Sequence, residues 1–139
     1  MTHGAPVWRD VEIVAVRELL AQLNSVETGP GSWEDRRTGM NAFGAMSPLP
    51  EDTVVEAVDI AGLPAEFVTP KGADRHRALL YLHGGGYCVG SPTSHRPLAA
   101  RLAGAIGCPA LVPDYRLAPE HRFPAAVDDA VKAYRFLLG

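Results

Sequence analysis

The stretch Leu79-Leu80-Tyr81-Leu82-His83-Gly84-Gly85-Gly86-Tyr87-Cys88-Val89-Gly90 decides how the rest of the chain is read. The apolar run Ala78 to Leu82 predicts a short strand buried on both faces, and it stops at His83 and three glycines, where the chain leaves its sheet. Glycines in series permit positive φ and carry no Cβ, so successive N–H groups can converge on a negatively charged oxygen. Ser91, Thr93 and Ser94 then offer helix caps, and Leu98, Leu102 and Ile106 recur at helical spacing. Strand, anion-binding loop and helix are expected in that order.

Two phosphate-binding patterns share this order, and both fail on single residues. A dinucleotide fingerprint beginning at Gly84 and Gly86 needs a third glycine where Val89 stands; a P-loop spanning Gly85 and Gly90 needs Lys and Ser or Thr where Ser91 and Pro92 stand. The His-Gly-Gly-Gly turn itself matches the loop that completes the oxyanion hole of lipases and esterases. Together with Asp114-Tyr115-Arg116-Leu117-Ala118-Pro119-Glu120-His121 and Phe123-Pro124-Ala125-Ala126, it resembles the hormone-sensitive-lipase family of α/β-hydrolase serine esterases. The resemblance runs from the N-terminal helices to the last residue and corresponds to the N-terminal part of that fold.

The resemblance implies an α/β fold with a mixed, mostly parallel sheet and flanking helices. Residues 1–50 would be cap helices and residues 51–139 the first part of the hydrolase core. It implies serine carboxylesterase activity on a small or medium acyl ester, with no cofactor and no metal. The N–H groups of Gly85 and Gly86, with one from the residue after a nucleophilic Ser, would bind the oxyanion, while His83 and Gly84 shape the loop. Tyr87, next to these donors, either touches the bound ester or packs against the loop.

Composition narrows the partners. With 139 residues, 47% hydrophobic and 21% charged, the chain has the make-up of a globular protein with a real core. Thirteen basic against 16 acidic residues give a net charge of −3 with no basic run, which argues against nucleic acid. No apolar run has the length of a membrane span and Met1 to Asp10 does not read as a signal segment, so a cytoplasmic location is the expectation. Cys88 and Cys108 have neither metal-type nor disulfide-framework spacing and read as small hydrophobes.

Along the chain, Trp8, Val11, Ala15 and Leu19, widened by Val16, Leu20 and Leu23, predict a first helix from Val7 to Asn24. Ser32 and Asp35 read as a capping box opening a second helix to about Met46. The apolar side of that helix, Trp33, Met40, Phe43 and Met46, is expected to pack on the core, the alternative being an acyl or alcohol pocket. Val54 to Ala61 and Leu63 to Thr69 read as an antiparallel pair. Gly107 reads as a helix C-terminus, and Ala110 to Val112 as a strand that a right-handed crossover places parallel to Ala78–Leu82. Asp114 to Phe123 reads as an ordered loop fixed by an ion-pair network of Asp114, Arg116 and Glu120. Pro124 then opens a last helix whose buried stripe is expected to be Val127, Val131, Tyr134 and Leu138.

Serine-enzyme chemistry needs a nucleophile, a His base, an acid and oxyanion donors. None of the five serines, Ser25, Ser32, Ser47, Ser91 and Ser94, lies in Gly-x-Ser-x-Gly, and none of the five histidines has a nameable triad partner, so the sequence supplies only the donors. The chain is therefore expected to be inactive by itself and to stop short of the elbow. The rival expectation is a non-catalytic, small-ligand-binding protein on the same fold. The strand Ala78–Leu82, with no charge or proline, is also expected to form an open sheet edge through which the chain self-associates.

Overall fold

The computed structural model describes Val14, Ala15, Arg17, Glu18 and residues 31–139, and the chain divides into two units, Met1–Gly31 and Ser32–Gly139. In the first unit Val14, Ala15, Arg17 and Glu18 are helical and Gly31 is not. The remainder of the predicted first helix, including Trp8, Val11, Val16, Leu19, Leu20 and Leu23, lies outside the described residues.

In the second unit the capping box closes as read. The Asp35 N–H donates to Ser32 Oγ at 3.1 Å and the Ser32 N–H to Asp35 Oδ2 at 2.9 Å, which starts helix α1, Trp33–Ala45. A hairpin of β1 (Val54–Ile60) and β2 (Leu63–Thr69) follows, with Val54 opposite Thr69 and Ile60 opposite Leu63. Next come β3 (Leu79–Leu80), helix α2 (Pro92–Ile106), β4 (Ala110–Pro113) and helix α3 (Ala125–Leu138). Strand order is β1-β2-β4-β3, with β4 antiparallel to β2 and parallel to β3. Strand β4 thus lies between the hairpin and β3, and its four residues are all buried. No helix among the described residues is long and apolar enough to cross a membrane.

Strand β3 differs from its sequence reading. Its ladder to β4 pairs Leu79 with Ala110 and Leu80 with Leu111 and includes Leu79 N–H to Pro109 O and Tyr81 N–H to Leu111 O, and it has no strand on its other side among the described residues. With one neighbour only, Leu79 and Leu80 are half-buried and Leu82 is exposed, instead of being buried on both faces.

The helices correct two further expectations, those for α1 and α3, and in all three helices one physical reason operates: small side chains let a helix approach the sheet or a neighbouring helix more closely than large ones do. Helix α2 meets the sheet through Ala99, Ala100 and Ala103, which cluster with Val68, Ala110 and Val112, while Leu98, Leu102 and Ile106 stay exposed. Helix α3 buries Asp129 and Ala133, and Ala133 packs with Ile60, Leu63, Ala65 and Leu111 on the opposite face; Val127, Val131, Tyr134 and Leu138 are exposed rather than buried. Helix α1 does not bury Trp33, Phe43 or Met46. It touches α2 at Gly44, where a Cβ would come within 2.2 Å of Ser94 O.

Gly107 ends α2 in the left-handed region at φ 74°. The chain enters β4 directly from it.

Candidate functional site

Beyond β3 the backbone turns through Gly85 at φ 130° and Gly86 at φ 58°. Both values favour glycine, and at Gly85 a Cβ would also lie 2.0 Å from Val89 O. Gly84 is different: its φ is outside the left-handed region and a Cβ there would meet only His95 Nε2, at 3.9 Å. The turn is made at Gly85 and Gly86, which corrects the assignment of its shape to Gly84.

The carbonyls of this loop are held from within the protein. His83 Nδ1 lies 2.9 Å from Gly84 O, and as the protonated nitrogen it donates there. The Cys88 and Val89 N–H groups both donate to Gly85 O at 3.1 Å. The Ala118 N–H donates to Tyr87 O at 2.8 Å, and Arg37 Nε donates to Cys88 O at 2.9 Å. In a trans peptide the C=O and the following N–H point in opposite directions. Fixing Gly84 O therefore turns the Gly85 N–H outward, and fixing Gly85 O does the same for the Gly86 N–H. Neither N–H donates to a group among the described residues.

Both glycines line a cavity of about 590 Å³, whose walls include Leu82, Tyr87, Tyr115, Val127, Val131 and Tyr134. The exposed stripe of α3 thus forms one side of the space beside the two glycines. Tyr87 is 63% exposed and sits at φ 61°, so its ring is carried into the cavity by a backbone conformation that aromatic residues seldom adopt. Tyr87 is also in the wall of a second hollow of about 270 Å³, with Phe123, Pro124 and His121.

His83 is buried, 4% exposed, and stacks on Tyr115 with ring centroids 4.1 Å apart. The Tyr115 hydroxyl donates to His83 O at 2.5 Å and lies 3.2 Å from Nδ1, while His83 Nε2 is buried without a partner among the described residues. Burial lowers the His83 pKa, with the Gly84 carbonyl opposing and His95 adding to the shift, so the ring is neutral near pH 7. Burial likewise pushes the Tyr115 hydroxyl up to about 12, keeping it a donor. His95 stands behind the loop in α2. Its Nδ1 is 2.9 Å from Ser94 Oγ, and its ring centroid is 5.4 Å from that of His83.

The predicted ion-pair network is two separate pairs. Arg116 donates to Asp129 through Nε at 2.9 Å and Nη2 at 2.8 Å, and Glu120 pairs with Arg37 of α1 through Nη2 at 2.7 Å and Nη1 at 3.0 Å. Asp114 joins neither; its backbone N–H donates to Pro64 O, while burial and the nearby Glu66 raise its side-chain pKa. Arg37 is the residue that sequence reasoning missed. It lies 51 residues from Cys88 and 83 from Glu120, and Nη2 also reaches Ala118 O at 2.9 Å. No local pattern marks such a contact.

Among the described residues no group of three His, Cys, Asp or Glu side chains is placed to hold a metal ion.

Residues 79–139 match a family described as having the alpha/beta hydrolase fold. An acetyl-hydrolase of Streptomyces hygroscopicus is 46% identical over 131 residues, covering 91% of this chain and 42% of that protein. An ethyl acetate hydrolase of Pseudomonas putida is 57% identical over 61 residues, covering 44% of this chain and 19% of that protein. The crystal structure of an esterase from the bacterial hormone-sensitive-lipase family superposes with a TM-score of 0.84 at 38% identity, over 94% of this chain and 43% of that one. The chain has the α/β-hydrolase fold. It covers the N-terminal portion of the fold of hormone-sensitive-lipase-family esterases, to which it is similar, and spans less than half the length of the curated relatives it matches.

Proposed function

We propose that this chain supplies the oxyanion-binding side of a carboxylic ester hydrolase site. Attack of a nucleophile on an ester carbonyl moves the π electron pair onto oxygen, and the Gly85 and Gly86 N–H groups are aimed where such an oxygen would sit in the cavity. The apolar wall of Val127, Val131 and Tyr134 suits an acyl or alcohol group, and Tyr87 contacts it. The observation that supports this reading is a coincidence at two residues: Gly85 and Gly86 make the positive-φ turn, line the cavity, and have N–H groups that donate to none of the described residues, while the Gly84, Gly85, Tyr87 and Cys88 carbonyls accept from protein donors.

The nucleophile, base and acid are not among the motifs of these 139 residues. The chain alone is expected to leave p-nitrophenyl butyrate at the buffer rate and to take up no serine-directed phosphonate. In a chain that continues through a Gly-x-Ser-x-Gly elbow, Gly85→Pro removes one donor and should lower kcat by about 10²-fold or more. An unchanged kcat, or stoichiometric labelling of the 139-residue chain, would sink the proposal. Ligand binding without turnover in the continued, unmutated chain would identify a binding protein on this fold instead.

A further inference from the structure

The two N–H groups are not driven alike. Behind the Gly85 N–H stands one peptide group, whose carbonyl accepts from the neutral ring of His83. Behind the Gly86 N–H stand its own peptide group, the two peptide groups that donate to the Gly85 carbonyl through Cys88 and Val89, and, on the second of these, a cation. Arg37 Nε donates to Cys88 O; the N–H of that same peptide, on Val89, donates to Gly85 O; and the N–H of the Gly85–Gly86 peptide is the donor that faces the cavity. Each bond in such a chain polarises the next.

We infer that Arg37 is a positioning residue for the oxyanion site, acting on the Gly86 N–H through the Cys88–Val89 and Gly85–Gly86 peptide groups. The inference rests on the proposed function and deepens it, since it assigns to α1 a part in a site whose donors come from the loop after β3. The Arg37 side chain is 19% exposed and keeps its charge, its pKa raised by the hydrogen bonds it donates to Glu120. Glu120 is 52% exposed and is lowered to about 2 by the same bonds, so the pair is ionised at neutral pH. Glu120 therefore offsets part of the cation's effect on Cys88 O. Removing the two members of the pair should change the Gly86 N–H in opposite directions. A clamp that merely held the loop in shape would be loosened by either removal.

The test is an amide titration of the 139-residue chain with sodium butyrate at pH 7 and constant ionic strength, the carboxylate standing in for the oxyanion. In the unmodified chain the Gly85 and Gly86 amide resonances should shift saturably. In Arg37→Gln the ligand-free Gly86 amide proton should move upfield while that of Gly85 stays, and butyrate should bind about fivefold more weakly. In Glu120→Gln the Gly86 proton should move downfield and binding should tighten by about twofold. Equal upfield movement of both glycines in Arg37→Gln, or weakening in both variants, would overturn the inference and leave the oxyanion reading standing. Failure of the unmodified chain to shift at either glycine would overturn that reading itself. Should Arg37→Gln not melt cooperatively, the sign in Glu120→Gln decides alone: tightening supports the relay and weakening refutes it.

Discussion

The loops that follow β3 and β4 leave adjacent parallel strands at the same end of the sheet, the end at which open α/β sheets bind ligands. They use their backbones differently. After β4 four N–H groups donate to protein: Asp114 to Pro64 O, Arg116 to Asp129 Oδ2, Ala118 to Tyr87 O and His121 to Leu117 O. After β3 four carbonyls, those of Gly84, Gly85, Tyr87 and Cys88, accept from protein, and the Gly85 and Gly86 N–H groups, beside the cavity, donate to none of the described residues. In the proposed site the cavity-lining glycines, rather than the density of charged side chains, separate the donor loop from its support. The Ala118–Tyr87 bond and the Arg37 fork join them, so the supporting loop also fixes the orientation of the other.

That division can be broken from either side. The largest effect should come from Gly85→Pro, which acts on turnover in a continued chain as described above. Next is Asp129→Ala, which takes away the acceptor of three bonds from Arg116 and should cost about 2 kcal/mol of stability in a urea melt. Butyrate binding should be unchanged, because Asp129 holds Arg116, whereas the bonds that orient the glycine loop are made by Ala118 and Arg37. Burial pushes the Asp129 pKa up, but the bonds from Arg116 outweigh it and the net shift is downward. Its contribution is therefore complete above the unfolded pKa of about 3.9 and is lost as pH falls through the folded value. A loss of butyrate binding in Asp129→Ala would show that the two loops are not separable in function.

The smallest effect concerns the open side of β3, where we propose that the chain pairs with a second copy. Leu82 is 46% exposed there, beside the exposed Val131 and Tyr134 of α3. Leu82→Lys should shift sedimentation at micromolar concentration toward monomer, since an edge charge deters strand pairing. A monodisperse monomer before the substitution would contradict the pairing.

Local chemistry was the legible part of the sequence. The Ser32–Asp35 box, the Ser91 cap and the left-handed Gly107 depend on neighbours within a few residues, and each is found in place. Helix phase was less legible, because periodicity weights large apolar residues while contact with the sheet selects small ones. Leu98 and Leu102 drew attention to one face of α2, and Ala99, Ala100 and Ala103 bury the other. In α3 the same bias placed Val127, Val131 and Tyr134 in the core, whereas they line the cavity beside the glycine turn. The turn itself was readable from its glycines, two of which take positive φ. What points the donors outward is His83 through a neighbour and Arg37 through a contact 51 residues away, and only the first lies within reach of a motif.

In the proposed site the Gly85 and Gly86 N–H groups converge on one oxygen in the cavity, and a crystal structure of the 139-residue chain soaked in butyrate tests that convergence. One carboxylate oxygen should lie about 2.7–3.1 Å from both nitrogens, with the propyl chain against Val127, Val131 or Tyr134. Butyrate bound elsewhere while either N–H donates to a protein carbonyl would contradict the account.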